Sequence, residues 1–156
     1  MRHFREQMIR DAVLLRMIRV VLLLLLLPVA HGLKAQATLE LHVESTRPDA
    51  GGLIRLAICP GHVAYESLQG CMERSIPAKE DPVRVLVENI PPGTYAIKAF
   101  HDVNESGGMD TGLFGLPKEP YGFSNNVMGA FGPPDFSKAS FEVGPGKNVH
   151  RMRMRD

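Results

Sequence analysis

The sequence has no glycine-rich turn of the kind that cradles a phosphate after a strand, and no haem-attachment sequence. Neither class of cofactor is therefore expected. Cysteine is scarce: only Cys59 and Cys71 are present, too few for a zinc site built from two Cys pairs. Basic charge is not in surplus either. Residues 38–156 carry 12 Lys/Arg against 15 Asp/Glu, a net −3. Phosphate binding needs a concentrated basic surface, so nucleic acid is excluded as a partner. The one basic cluster, Arg151, Arg153 and Arg155, has the period-2 spacing of a strand's solvated face. No long segment repeats with the 3.6-residue period of an amphipathic helix. The one long apolar stretch, Val20–Ala30, is about half the ~20 residues a membrane span needs.

That stretch reads instead as a secretory leader. Arg16 and Arg19 precede it, and Ala35-Gln36-Ala37 supplies small residues at the −3 and −1 positions before Thr38. The expected organisation is a signal peptide at 1–37 and a single domain at 38–156, periplasmic or secreted. Membrane contact is expected only through an uncleaved leader. No Cys closely follows the apolar stretch, which argues against a lipoprotein. In an exported chain an even pair of cysteines reads as a disulfide, here Cys59–Cys71. A short closed loop of this kind contributes roughly 3 kcal/mol by the chain-entropy argument.

After the leader, Gly, Pro or Asp punctuates the chain every ten residues or so. Between the breaks lie short alternating runs. Leu39, Leu41 and Val43 share one face, as do Ile54, Leu56 and Ile58, and Val83, Val85 and Val87. Tyr95, Ile97 and Ala99 alternate with Ala96, Lys98 and Phe100. Residues 139–143 and 148–155 complete the set, the last with Met152 and Met154 inward as ordinary core. Only 62–70 could hold a helical turn. Short strands at regular spacing predict an all-β sandwich or barrel, with about seven short antiparallel strands and one long ordered loop. That loop is the Gly- and Pro-rich segment 102–134, whose aromatics argue against disorder. The Pro91-Pro92-Gly93-Thr94-Tyr95 segment resembles the entry into a strand of transthyretin-like sandwiches, which implies an Ig-like or transthyretin-like sandwich.

The loop opens on Asp102-Val103-Asn104-Glu105-Ser106-Gly107-Gly108-Met109-Asp110. With Asp102 as position 1, oxygen-bearing side chains fall at 1, 3, 5 and 9, and Gly107 stands at the sharp turn. This is the spacing with which an EF-hand-type loop wraps Ca²⁺. The expected ligands are Asp102, Asn104, Ser106, the Gly108 carbonyl and Asp110. Leu113 replaces the bidentate Glu at position 12, so a carboxylate such as Glu119 or Asp135 would have to fill in. The metal-free alternative is a turn in which Asp102 and Asn104 cap backbone amides.

A nucleophilic pair of Ser124 and His101 can be written on paper. Ser124 stands outside any Gly-x-Ser-x-Gly elbow, and adjacent His101 and Asp102 would point to opposite faces of a strand. The bland reading has Ser124 and Asn125 bonding backbone in a turn.

Longer motifs then fall in order. They are Asn89-Ile90-Pro91-Pro92-Gly93-Thr94-Tyr95-Ala96, Phe100-His101-Asp102-Val103-Asn104 and Gly115-Leu116-Pro117-Lys118-Glu119. Tyr121-Gly122-Phe123-Ser124-Asn125-Asn126 and Phe131-Gly132-Pro133-Pro134-Asp135-Phe136 with Ala139 follow. Together they resemble the bacterial exported proteins of domain-of-unknown-function family 2141, over essentially all of 38–156. The resemblance implies an exported protein of Gram-negative bacteria and brings no activity with it. Where the family's loop has a second Asn, Ser106 stands here, a poorer donor to Ca²⁺; Met109 replaces a Leu.

The function expected first is an exported, non-enzymatic binding or envelope-associated module for a protein or small ligand. Its binding loop would present His101, Tyr121, Phe123, Ser124 and Asn125, with Ca²⁺ as a brace. The alternatives are a periplasmic hydrolase using Ser124 and His101, and a structural domain pairing through a sheet edge.

Overall fold

The computed structural model describes Arg16 and residues 36–156. The predicted leader falls outside the described residues except for Arg16, Gln36 and Ala37, and Ala37 is the first residue of a strand. No helix among the described residues is long and apolar enough to cross a membrane.

The alternating runs are strands. In chain order they are β1 (Ala37–Glu44), β2 (Leu53–Pro60), β3 (Met72–Pro77), β4 (Val83–Ile90), β5 (Gly93–Asp102), β6 (Tyr121–Phe123), β7 (Phe141–Val143) and β8 (Gly146–Arg153). Two short helices accompany them, α1 (Gly61–Ser67) and α2 (Phe136–Ala139). β4-β1-β8 form one sheet. β3-β2-β5-β6 form the other, with β7 also paired to β5. The all-β sandwich expected from the alternation is therefore present, with eight strands among the described residues. One pair departs from the expected antiparallel pattern: β1 and β8 run parallel, Ala37 opposite Gly146 through Glu44 opposite Arg153. A parallel pair needs a long crossover, and nearly the whole domain lies between these two strands.

The core fills the space between the sheets. Leu39, Leu41 and Val43 meet Val83, Val85 and Val87 from the small sheet, and Ile54, Leu56, Ile58, Ile97 and Ala99 from the large one. Met152 and Met154 are buried there, as their spacing predicts. Each fully buried aliphatic side chain contributes about 1.5–3 kcal/mol. Along one side the sheets are stitched together. Tyr121 and Arg155 exchange two backbone hydrogen bonds of 2.8 Å, and the Met154 amide donates to Glu44. Gly122 permits this approach, because a Cβ there would lie 2.8 Å from the Arg153 carbonyl oxygen.

The large sheet is covered on its outer face too. Cys59, Ala96 and Phe123 pack there under Ala64 and Tyr65 of α1 and Ala139 of α2, with Phe136 alongside. The helix α1 starts after Pro60 and stops at Leu68. Leu68 adopts a left-handed conformation and donates its N–H to the Ala64 carbonyl. The disulfide Cys59–Cys71 closes the segment, holding the chain that leaves α1 against the end of β2.

Candidate functional site

The Ser124 hydroxyl is buried and fully committed. β6 and β7 both pair with β5 but leave a gap opposite Ile97. Ser124 fills it: its Oγ accepts the Ile97 N–H at 2.9 Å and donates to the Ala139 carbonyl at 2.5 Å. Asn125 extends the clip, donating to the carbonyls of Lys138 and Ser140, and Asn126 accepts the Arg153 N–H. Both asparagines have positive φ, which Asn tolerates better than most residues.

His101 lies four residues farther along β5 than Ile97, about 13 Å on an extended strand. It is wholly buried at the edge of the core, with Nδ1 at 2.8 Å from the Ser45 hydroxyl and Nε2 bonded to the Gly51 carbonyl. The Ser124–His101 nucleophilic pair is thus corrected: the two side chains are held apart, and neither is accessible. The same burial takes His101, Phe123 and Ser124 away from any loop surface, whereas Asn125 is exposed and Tyr121 half-buried.

The acidic loop does close on itself. Buried Asp102 accepts the Ser106 N–H on one oxygen, and the Gly107 N–H and the Arg55 Nε–H on the other, the last at 2.5 Å. Burial opposes its charge, but Arg55 and the two amides outweigh burial and hold the carboxyl below the usual range. Asn104 donates to Asp110 at 2.6 Å, and the Ser106 hydroxyl donates to the Gly108 carbonyl at 3.0 Å. Glu119 brackets both ends, one oxygen accepting the Val103 N–H and the other the Asp110 N–H. Asp135 is exposed and paired with Lys138 instead.

Asn104, Ser106, Gly108 and Asp110 therefore converge, but around one another's hydrogen bonds. Asp102, the first expected ligand, is neutralised by Arg55. Ca²⁺ takes six to eight oxygens and favours several carboxylates. Among the described residues no three His, Cys, Asp or Glu side chains come together to hold a metal. This donor set fits a hydrogen-bonded bracket better than a resident cation.

The feature that sequence reasoning missed lies beside this bracket, on the outer face of the large sheet. Strand register aligns two rows across four strands. One runs Ser75, Arg55, Phe100, Tyr121 and the other Glu73, Ala57, Lys98, Phe123. Helices α1 and α2 cover one end of this face, and Gly107, Gly108 and Met109 wall the other. Between them lies a groove of about 430 Å³. Its hollow arises at Ala57, whose short side chain stands between Glu73 and Lys98 in the second row.

The charges in the groove are arranged unequally. Arg55 is occupied by Asp102. Lys98 has no carboxylate within 4.0 Å among the described residues; its ammonium sits 4.2 Å from the centroid of the Tyr65 ring. Burial lowers its pKa, while nearby Glu66 pulls the other way. Tyr65 is itself pushed up to about 12, chiefly by burial, and its hydroxyl donates to the Pro134 carbonyl.

A family model described as "Uncharacterized protein conserved in bacteria (DUF2141)" matches residues 42–151. That span runs from within β1 to within β8 and takes in both the bracket and the groove. No curated protein and no solved structure matches the chain.

Proposed function

The chain belongs to the bacterial DUF2141 family, and we propose that it is an exported, non-enzymatic module that binds a small ligand in the groove over Ala57, Lys98 and Phe100. The observation that carries this reading is the groove itself. Its volume falls within the ~300–1,000 Å³ of small-molecule sites, and apolar surface from Ala57, Phe100, Met109 and Tyr121 lies between a few polar groups, Lys98 and Glu73 among them. The surrounding walls are rigidly held, α1 by the disulfide and the 107–109 segment by Asp102 and Glu119. Export is supported by the leader pattern at 1–37 and by the disulfide, which persists in oxidising compartments.

Both halves can be tested on one preparation. The full chain is expressed in a Gram-negative host, the periplasm is separated, and the product is sequenced from its N-terminus. A periplasmic product beginning near Thr38 is expected; a cytoplasmic product retaining residues 1–37 overturns export. Amide-resonance mapping of the isolated product against a small-molecule library should move Ala57, Lys98, Phe100 and Met109. Shifts centred elsewhere, or no shifts at all, overturn the groove.

A further inference from the structure

We infer that the groove selects small monoanionic amphiphiles, carboxylates with an apolar body, by engaging their head with Lys98. This rests on the groove being a binding site and adds the chemistry of its ligand. A half-buried ammonium is costly to leave unpaired. Here no carboxylate lies within 4.0 Å among the described residues; the ammonium sits 4.2 Å from the centroid of the Tyr65 ring, and Glu66 acts on it only from farther off. A cation–π contact replaces some of the lost solvation and leaves the ammonium with N–H donors that an incoming acceptor can use.

The rest of the floor suits hydrocarbon. Ala57, Phe100, Tyr121 and Met109 are all half-buried, so each keeps apolar surface in reach of an occupant. Of the other cations at the groove, Arg55 is already satisfied by Asp102. Arg74, between Glu73 and Ser75 on β3, alternates to the opposite face of the sheet and donates to the Glu73 carbonyl. Lys98 is therefore the free positive charge on this face and calls for one negative charge. Glu73, across Ala57 in the same row, would repel a second anionic group placed on the β3 side. A dianion is thereby disfavoured, and the apolar body is directed over Phe100 and Tyr121.

The test uses three probes of equal chain length, each below its aggregation concentration: decanoate, decanol and decyltrimethylammonium. Affinities are measured by calorimetry on the periplasmic protein. Decanoate is expected to bind at least tenfold more tightly than decanol, and the cation least. Lys98→Met, which keeps an apolar stem, should bring decanoate down to the affinity of decanol and leave decanol unchanged. Lys98→Gln serves the same purpose should the Met variant melt early. Ala57→Trp, which fills the hollow, should abolish binding of all three. Equal affinities for the three probes, or an anion preference that survives both Lys98 variants, overturn the ligand class while leaving the groove standing. Absence of binding by every probe to the wild-type protein, or binding that Ala57→Trp leaves intact, overturns both.

Discussion

Single side chains carry much of this architecture by replacing backbone partners. Ser124 stands where a longer β6 or β7 would have supplied a carbonyl to Ile97. Removing its hydroxyl leaves a buried N–H and a buried carbonyl unsatisfied, at about 1–3 kcal/mol. Ser124→Ala should therefore lower the free energy of unfolding by that amount, read as a lower urea midpoint at unchanged slope, and a serine-reactive phosphonate should leave Ser124 of the native protein unlabelled. Tyr65 offers a pH-dependent counterpart. Its pKa is raised in the fold to about 12, so its contribution is complete below pH 10 and is lost as pH rises towards 12. Wild type should exceed Tyr65→Phe in stability at pH 7 by about 1 kcal/mol, the worth of one hydrogen bond. Urea titrations at pH 7, 9 and 11 should show that gap closing. The reason Ser124 matters could not be read from Gly122-Phe123-Ser124-Asn125, because the gap it fills exists only once two distant short strands share β5.

At the level of elements, the strands with one buried face were legible. Ile54, Leu56 and Ile58, and Val83, Val85 and Val87, alternate because one sheet face meets the core. β3 was not, because it is an edge strand whose Glu73, Arg74 and Ser75 are all exposed, so alternation has no core to report. The acidic loop was half legible. Its Asx-type turn follows from Asp102, Asn104 and Gly107, but its counter-ion, Arg55, comes from 47 residues away. Adding Ca²⁺ at ~10⁻³ M, the range of extracellular calcium modules, is accordingly expected to leave the melting temperature unchanged. A rise that Asp110→Asn abolishes would show the loop oxygens turning onto an ion. The disulfide acts on α1 rather than on the core. Its reduction should cost about 3 kcal/mol. Amide exchange should quicken first across Gly61–Ser67, ahead of β1 and β5.

For the molecule as a whole, the two sheets are joined along one side by the last few residues. Met154 is completely buried, and Arg155 exchanges both its backbone bonds with Tyr121. Truncation after Arg153 removes about 2–3 kcal/mol of burial with those bonds. Against a typical total of about 5–15 kcal/mol, that is a large fraction. The shortened chain should melt well below the full one in a thermal scan, with Phe123 and Tyr121 gaining exchange at the same time. The sandwich was legible at this scale because every core strand announces its own inner face. The groove was not, since its two rows assemble residues from four strands, and Ala57 reads as unremarkable until its neighbours across the sheet are known.

The parallel pairing of β1 with β8 has a mechanical consequence. Ala37 lies beside Gly146 and Glu44 beside Arg153, so the outer ends of these two strands sit at opposite ends of the sheet. Tension applied between Ala37 and Arg153 pulls the strands lengthwise past each other. Every rung of their ladder is then loaded together, in shear, instead of opening one at a time. A domain strung between two anchoring points by these ends would yield abruptly and at high force rather than peel apart.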